Sequence, residues 1–236
     1  CRKGNQMISR ISLLKGKEGV SEEDFRNALV EGFKAIAGEM PTLVKCEVNV
    51  VTDRQQRSWA GRGSVDIDGF VEMYFDSYGD MNEALEAKGE AIAELYAKVA
   101  EAPVSEFVSV KKVDTPVPAY LQKKGPIKRV SFCDRKEGVD AMTFHTEWWY
   151  THSLLVKHMT GYCGYNQNLV VDRLVDGKHV GYEELPFEGM VEFFFEDMDA
   201  FDECYGTPGF ERRASPHAAE FIGTVTTYFV DPIVVK

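Results

Sequence analysis

Phe144-His145-Thr146-Glu147-Trp148-Trp149-Tyr150-Thr151-His152 puts two imidazoles and two indoles into nine residues. Histidine is the side chain whose unperturbed pKa lies nearest neutrality, so two of them beside aromatic walls suit general acid–base work on a small molecule. Read as an α-helix, the stretch gives two adjacent stripes. Phe144, Trp148 and Leu155 share one, with His152 near its edge, and His145, Trp149, His152 and Val156 share the other. His145 and His152 then stand about 10.5 Å apart along the axis. That is too far for the side-by-side ligation of an H-E-x-x-H helix, and no C-x-x-C, H-x-H or clustered acidic pattern supplies further ligands, so no metal is expected. On the alternative reading, His145 is simply exposed and His152 is a hydrogen-bonded core histidine.

Further polar groups follow. Tyr165 and Gln167 alternate with Asn166 and Asn168 along a strand, so one pair faces each side of it. Tyr165 could donate to a developing oxyanion and an amide could orient a carbonyl; which pair faces the helices stays open. Glu192, beside Phe193, and its counterpart Glu72 interrupt otherwise apolar strands. They read as edge positions in water, the alternative being a raised pKa inside a pocket. His217 follows a helix-starting Pro216 and reads as an exposed second-rank candidate.

The elements that carry these residues come in duplicate. Ile8-Ser9-Arg10-Ile11-Ser12 lies over Ile127-Lys128-Arg129-Val130-Ser131, an offset of 119 residues, and Lys17-Glu18-Gly19-Val20 over Lys136-Glu137-Gly138-Val139. Phe25 matches Phe144, Asn49 matches Asn168, and after one inserted residue Gly69-Phe70-Val71-Glu72 matches Gly189-Met190-Val191-Glu192. The chain therefore divides into repeat one (1–115), a proline-containing linker (116–126) and repeat two (127–236). Each repeat reads β-α-β-β-α-β, the split βαβ of ferredoxin-like folds. Such a sheet carries helices on one face only, and its bare apolar face needs cover. The expected architecture is α+β: two βαββαβ repeats packed sheet to sheet as a pseudo-dimeric α/β barrel within one chain. Helices are expected near 141–158, 198–203 and 211–222, and a long loop spans 53–68, from which Trp59 could reach the pocket of repeat two.

At these residues the sequence resembles the EthD family of the dimeric α/β-barrel superfamily. Phe144, His145, Trp148 and His152, followed by Ser153 and Leu154, match the family's helix. Gly161 with Tyr165-Asn166-Gln167-Asn168 matches its next strand, and Glu192-Phe193-Phe194-Phe195-Glu196-Asp197 its later aromatic strand and acidic turn. Relatives include polyketide cyclases, cofactor-free monooxygenases, lactone isomerases and decarboxylases. The resemblance implies a cofactor-independent lyase, decarboxylase, cyclase or isomerase acting on a small aromatic or phenolic compound. His152 would transfer the proton, with His145 as helper and Tyr165 as a further catalytic group. Trp148, Trp149, Asn168, Gln167, Glu192, Phe193 and His217 would bind substrate. Repeat one carries Arg26, Leu29 and Phe33 at the positions of His145, Trp148 and His152, so its own pocket is expected to be lost. The competing readings are a non-catalytic carrier of a hydrophobic small molecule and a haem protein with His152 as axial ligand.

Bulk properties narrow the partners. A net charge of −11 without a basic stripe disfavours nucleic acid and anionic membranes. The five cysteines are odd in number and scattered, as in reduced thiols of a cytoplasmic protein, and the opening residues lack the apolar core of a secretory signal. A monomer (pseudo-dimer) or weak homodimer is expected.

Overall fold

The computed structural model describes residues 6–236; Cys1 and the rest of the opening stretch lie outside them. Repeat one runs β1 (Gln6–Leu14), α1 (Glu22–Gly38), β2 (Leu43–Asp53), β3 (Gly69–Phe75), α2 (Tyr78–Val99) and β4 (Ser105–Thr115). A short helix, α3 (Ala119–Gln122), crosses the linker. Repeat two opens with β5 (Ile127–Arg135). Its first helical run comprises α4 (Ala141–Thr146), a π-helical turn (Glu147–His152) and α5 (Ser153–Val156). Then come β6 (Tyr162–Val175), a two-residue β7 (Lys178–His179), β8 (Gly189–Phe195), α6 (Met198–Tyr205), a second π-helical segment (Phe210–Ala214), α7 (Ser215–Phe221) and β9 (Ile222–Val234).

Local chemistry sets these boundaries. Ser21, Ser77, Asp140 and Asp197 each accept a hydrogen bond from a backbone N–H in the first turn of the helix they precede. In α1 the buried Phe25, Leu29, Phe33 and Ala37 recur every fourth residue and lie on the sheet.

The strands run β4-β1-β3-β2-β9-β5-β8-β6, and β6 pairs back onto β4, so eight antiparallel strands close a barrel. Sheet-to-sheet packing is thus accompanied by hydrogen bonding at both seams, β2–β9 and β4–β6. Closure leaves neither repeat an open edge there. Each repeat packs its helices on its own outer sheet face, Phe25, Phe33 and Tyr96 in repeat one and Phe144, Trp148 and Phe221 in repeat two. A third apolar layer inside the barrel joins Ile11, Phe70 and Phe107 to Phe132, Met190 and Tyr228.

The alternation along β6 and β8 resolves the open question of faces. Tyr165, Val191, Phe193 and Phe195 face the helices, as does Gln167, which bonds to the first helical run. Asn166, Asn168 and Glu192 face the barrel interior, where both asparagines donate to Glu192 Oε2. The reading of Glu72 and Glu192 as water-facing edge residues is corrected: both side chains are 0% exposed. What permits this is Lys128, whose Nζ lies 2.7 Å from Glu47, 2.8 Å from Glu72 and 2.6 Å from Glu192. Lys111 adds a second ammonium against Glu192 and donates to Tyr74 Oη at 2.9 Å. Burial alone would raise the Glu192 pKa, but Lys111 and Lys128 outweigh it and hold it well below the usual carboxylate range. Glu47 is likewise brought down to about 2 by Lys128 and Lys45 against the opposing effect of burial. The three carboxylates converge closely enough to hold a metal ion, yet the Lys128 ammonium lies among them.

Candidate active site

The helical run of repeat two is not a plain α-helix at its centre. The π-helical turn Glu147–His152 takes in an extra residue per turn, and its displaced carbonyls find side-chain donors. Gln167 Nε2 donates to Trp148 O at 2.7 Å, Lys112 Nζ to Trp149 O at 2.5 Å, and Ser153 Oγ to Trp149 O and Tyr150 O. The wider turn moves His152 from the stripe of His145 to that of Trp148. Phe144, Trp148 and Val156 are buried on one face, with His152 beside them, and Leu155 is only half-buried. Trp148 lies so close over Gly189 that a Cβ there would come within 2.4 Å of the indole; glycine is required.

Trp148, His152, Val156, Phe193, Cys133 and Arg129 line a narrow cavity of about 70 Å³ between the helices and the sheet. Its mouth is covered from repeat one, where Ser58 and Trp59 of the 54–68 loop reach across. That loop is fastened to repeat two: Gln56 Nε2 donates to Val225 O, Val225 N to Gly61 O, and Arg129 Nη2 to Arg57 O. The sequence-based placement of Trp59 at the pocket is met by this geometry.

His152 Nδ1 is 3.3 Å from His217 Nδ1, and His217 Nε2 is 3.1 Å from Glu147 Oε2. The network sets the tautomers. Glu147, as a carboxylate, accepts from His217 Nε2–H; His217 Nδ1 is then an acceptor and takes the proton of His152 Nδ1–H. His152 Nε2 keeps its lone pair, and no described protein group bonds to it. Phe221 packs edge-on against both imidazoles. Burial, and then the neighbouring His217, hold the His152 pKa down to about 3, so the ring is a neutral base. Cys133 is no nucleophile, because burial pushes its thiol up to about 12.

The other candidates lie elsewhere. His145 Nε2 is 3.4 Å from Glu188 Oε2, in a separate cluster with Arg173 and Arg135, and does not meet His152. His217, expected to be exposed, is 14% exposed and bonded to His152. Trp149 is buried beneath the Lys112 ammonium and borders a different surface groove with His145. Tyr165 stacks on Phe193 at 4.7 Å, one layer behind the cavity wall. Gln167 is occupied with Trp148 O, and Asn168 and Glu192 are inside the barrel. Arg129, Ser131 and Glu147 were given no role from the sequence, although Arg10 and Arg129 recur in register within apolar strands.

The neutral burial of His152 predicts a pH effect. The unfolded imidazole, with a pKa near 6.5, binds a proton before the folded one, so stability is full above 6.5 and falls as pH drops toward 3. By pH 5 the loss reaches about 2 kcal/mol. Urea titrations at pH 7 and 5 should show that much less difference in His152→Gln, whereas an unchanged difference would mean that His152 titrates normally.

Residues 136–224 match the model of the EthD domain family. No curated protein matches the chain in sequence. An anthrone oxidase-like protein shares the fold with a TM-score of 0.64 at 6% identity, over 99% of this chain and 94% of that one. A candidate monooxygenase from Fusobacterium nucleatum gives 0.60 at 10% identity, over 99% and 94%. A mutant chlorite dismutase from Candidatus Nitrospira defluvii gives 0.53 at 9%, over 97% and 91%. At such identities the likeness is one of fold. The matched stretch holds Trp148, His152, Phe193 and His217, within a chain whose eight strands close an α/β barrel.

Proposed function

We propose that the chain is a cofactor-independent enzyme in which His152 moves a proton on a small aromatic or phenolic compound, in a lyase, decarboxylase, cyclase or isomerase reaction. The observation that carries this reading is the Glu147–His217–His152 relay, which leaves one imidazole lone pair in an aromatic cavity. His152 Nε2 takes the proton from a phenol or an acidic C–H, and the imidazolium passes its Nδ1 proton to His217. His217 in turn gives its Nε2 proton to Glu147, whose side chain is 38% exposed, so the proton has a path from the cavity to water. Trp148 and Phe193 wall the ring of the substrate. Entry requires the 54–68 loop to lift, since about 70 Å³ is well below the ~300 Å³ at which small-molecule pockets begin. The monooxygenase and anthrone oxidase-like names of the fold relatives fit the same first step, removal of a proton from an electron-rich ring.

A second reading, a carrier of hydrophobic small molecules, is favoured by one feature. A groove of about 400 Å³ on repeat one runs between the small residues Gly89, Ala93 and Ala97 of α2 and the 176–177 turn of repeat two. A panel of phenolic acids, lactones and aromatic ketones separates the two readings, followed by tryptophan fluorescence and product analysis. Quenching with turnover is expected. Quenching without turnover for any member supports the carrier, and turnover undiminished in His152→Ala removes His152 from the chemistry.

A further inference from the structure

Arg129 is a buried cation without a carboxylate. It is 4% exposed and lines the His152 cavity. Its Nη1 donates to Ser131 Oγ at 2.7 Å and its Nη2 to Arg57 O at 2.7 Å, while Nε is buried with no partner. Its guanidinium lies over the Tyr205 and Phe201 rings, and no described Asp or Glu comes within ion-pair distance. A buried guanidinium in this state is costly unless something arrives to pair with it.

Repeat one contains the same device with its partner in place. Arg10 stands at the position of Arg129 and Ser12 at that of Ser131. There Arg10 Nε and Nη2 grip Glu106 Oε1 and Oε2 at 3.2 and 2.6 Å, and Ser12 Oγ donates to Glu106 Oε1 at 2.7 Å. Ser12 faces Glu106 across β1–β4; Ser131 faces Thr227 across β5–β9. One strand position therefore decides whether the arginine is neutralised from within: glutamate in repeat one, threonine in repeat two.

We propose that Arg129 and Ser131 seat a carboxylate of the ligand in the His152 cavity, at the position Glu106 fills in repeat one. This deepens the enzyme reading, on which it rests, by naming the substrate class: an aromatic or phenolic acid. The seated anion also bears on the base. A negative charge in the cavity favours the imidazolium, so ligand binding brings the His152 pKa up from about 3 toward the range where proton transfer is efficient.

Benzoate and its neutral counterpart benzamide probe the seat without turnover. Benzoate should bind at least about tenfold more tightly, the worth of one charge-assisted pairing, and Arg129→Gln should abolish the preference. Thr227→Glu installs the carboxylate of repeat one; it should raise the melting temperature and exclude benzoate, while Thr227→Gln should do neither. Equal binding of the two probes overturns the proposal, as does a Thr227→Glu protein that melts lower and still binds benzoate. If neither probe enters the cavity, the melting temperature decides alone: a rise supports the seat and a fall overturns it. Retention of the benzoate preference in a His152→Ala protein keeps the seat separate from the catalytic reading, so each can fail without the other.

Discussion

Lys128→Met is expected to destabilise the protein by about 3–5 kcal/mol, the usual result of leaving buried charge without its partner. The Lys128 ammonium touches Glu47, Glu72 and Glu192, of which Glu72 and Glu192 are wholly shut off from water and Glu47 nearly so. Burial would pull the lysine pKa down, yet these three carboxylates together hold it well above its ordinary value. Without Lys128, Lys111 is the remaining buried ammonium and its close partner is Glu192, so Glu72 keeps only the Asn49 amide and a 3.7 Å approach from Lys111. Adding Glu72→Gln to Lys128→Met should recover part of the loss, because the carboxylate that lost its counter-ion is itself removed while Glu192 keeps Lys111. Urea denaturation of the single and double variants reads this directly. A Lys128→Met protein as stable as its parent would mean that water or a proton compensates the carboxylates.

The second large effect concerns the relay. His152→Ala should lower kcat/KM by about 10²–10⁴, the range typical of a lost general base, with little loss of stability. Glu147→Gln should act more mildly and differently. An amide can accept the His217 proton but cannot stabilise an imidazolium, so kcat should fall while KM hardly changes. His217→Ala frees His152 Nδ1 and removes the tautomer lock, placing its effect between the two. Steady-state kinetics on a substrate found with the aromatic-acid panel provide the comparison. Equal rates across the series would reduce the relay to packing.

The order of elements and the barrel were legible because they rest on long-range register and on strand periodicity, which the chain writes repeatedly. Trp59 was legible because the 53–68 loop is too long for a hairpin connection and carries an indole. The phase of His152 was not. A π-helical turn depends on who satisfies the displaced carbonyls, and Gln167, Lys112 and Ser153 come from three different places in the chain. Reading the helix at a constant 100° per residue set His145 on one stripe with His152, two turns away, whereas the fold pairs His152 with His217 from 65 residues further on. Glu72 and Glu192 were misread for a related reason: a carboxylate in an apolar strand looks like an edge residue until the opposite wall supplies a cation. Lys128, one residue before the repeated arginine, was that cation, and pairwise comparison of the repeats passed over it because its counterpart is Ser9.

That last mismatch has a consequence for how the fused chain differs from a pair of identical subunits. In a true two-fold assembly any side chain near the axis meets its own twin, so one lysine there becomes two, pressed together. Here Glu72 and Glu192 approach from the two halves as such twins would, but Lys128, which bridges them closely, stands opposite a small Ser9, and the second ammonium, Lys111, sits tight against Glu192 only. Fusion makes an odd number of charges possible at the centre. Once the halves are free to differ there, they are free to differ everywhere, and one can lend a loop as the roof over the other's cavity.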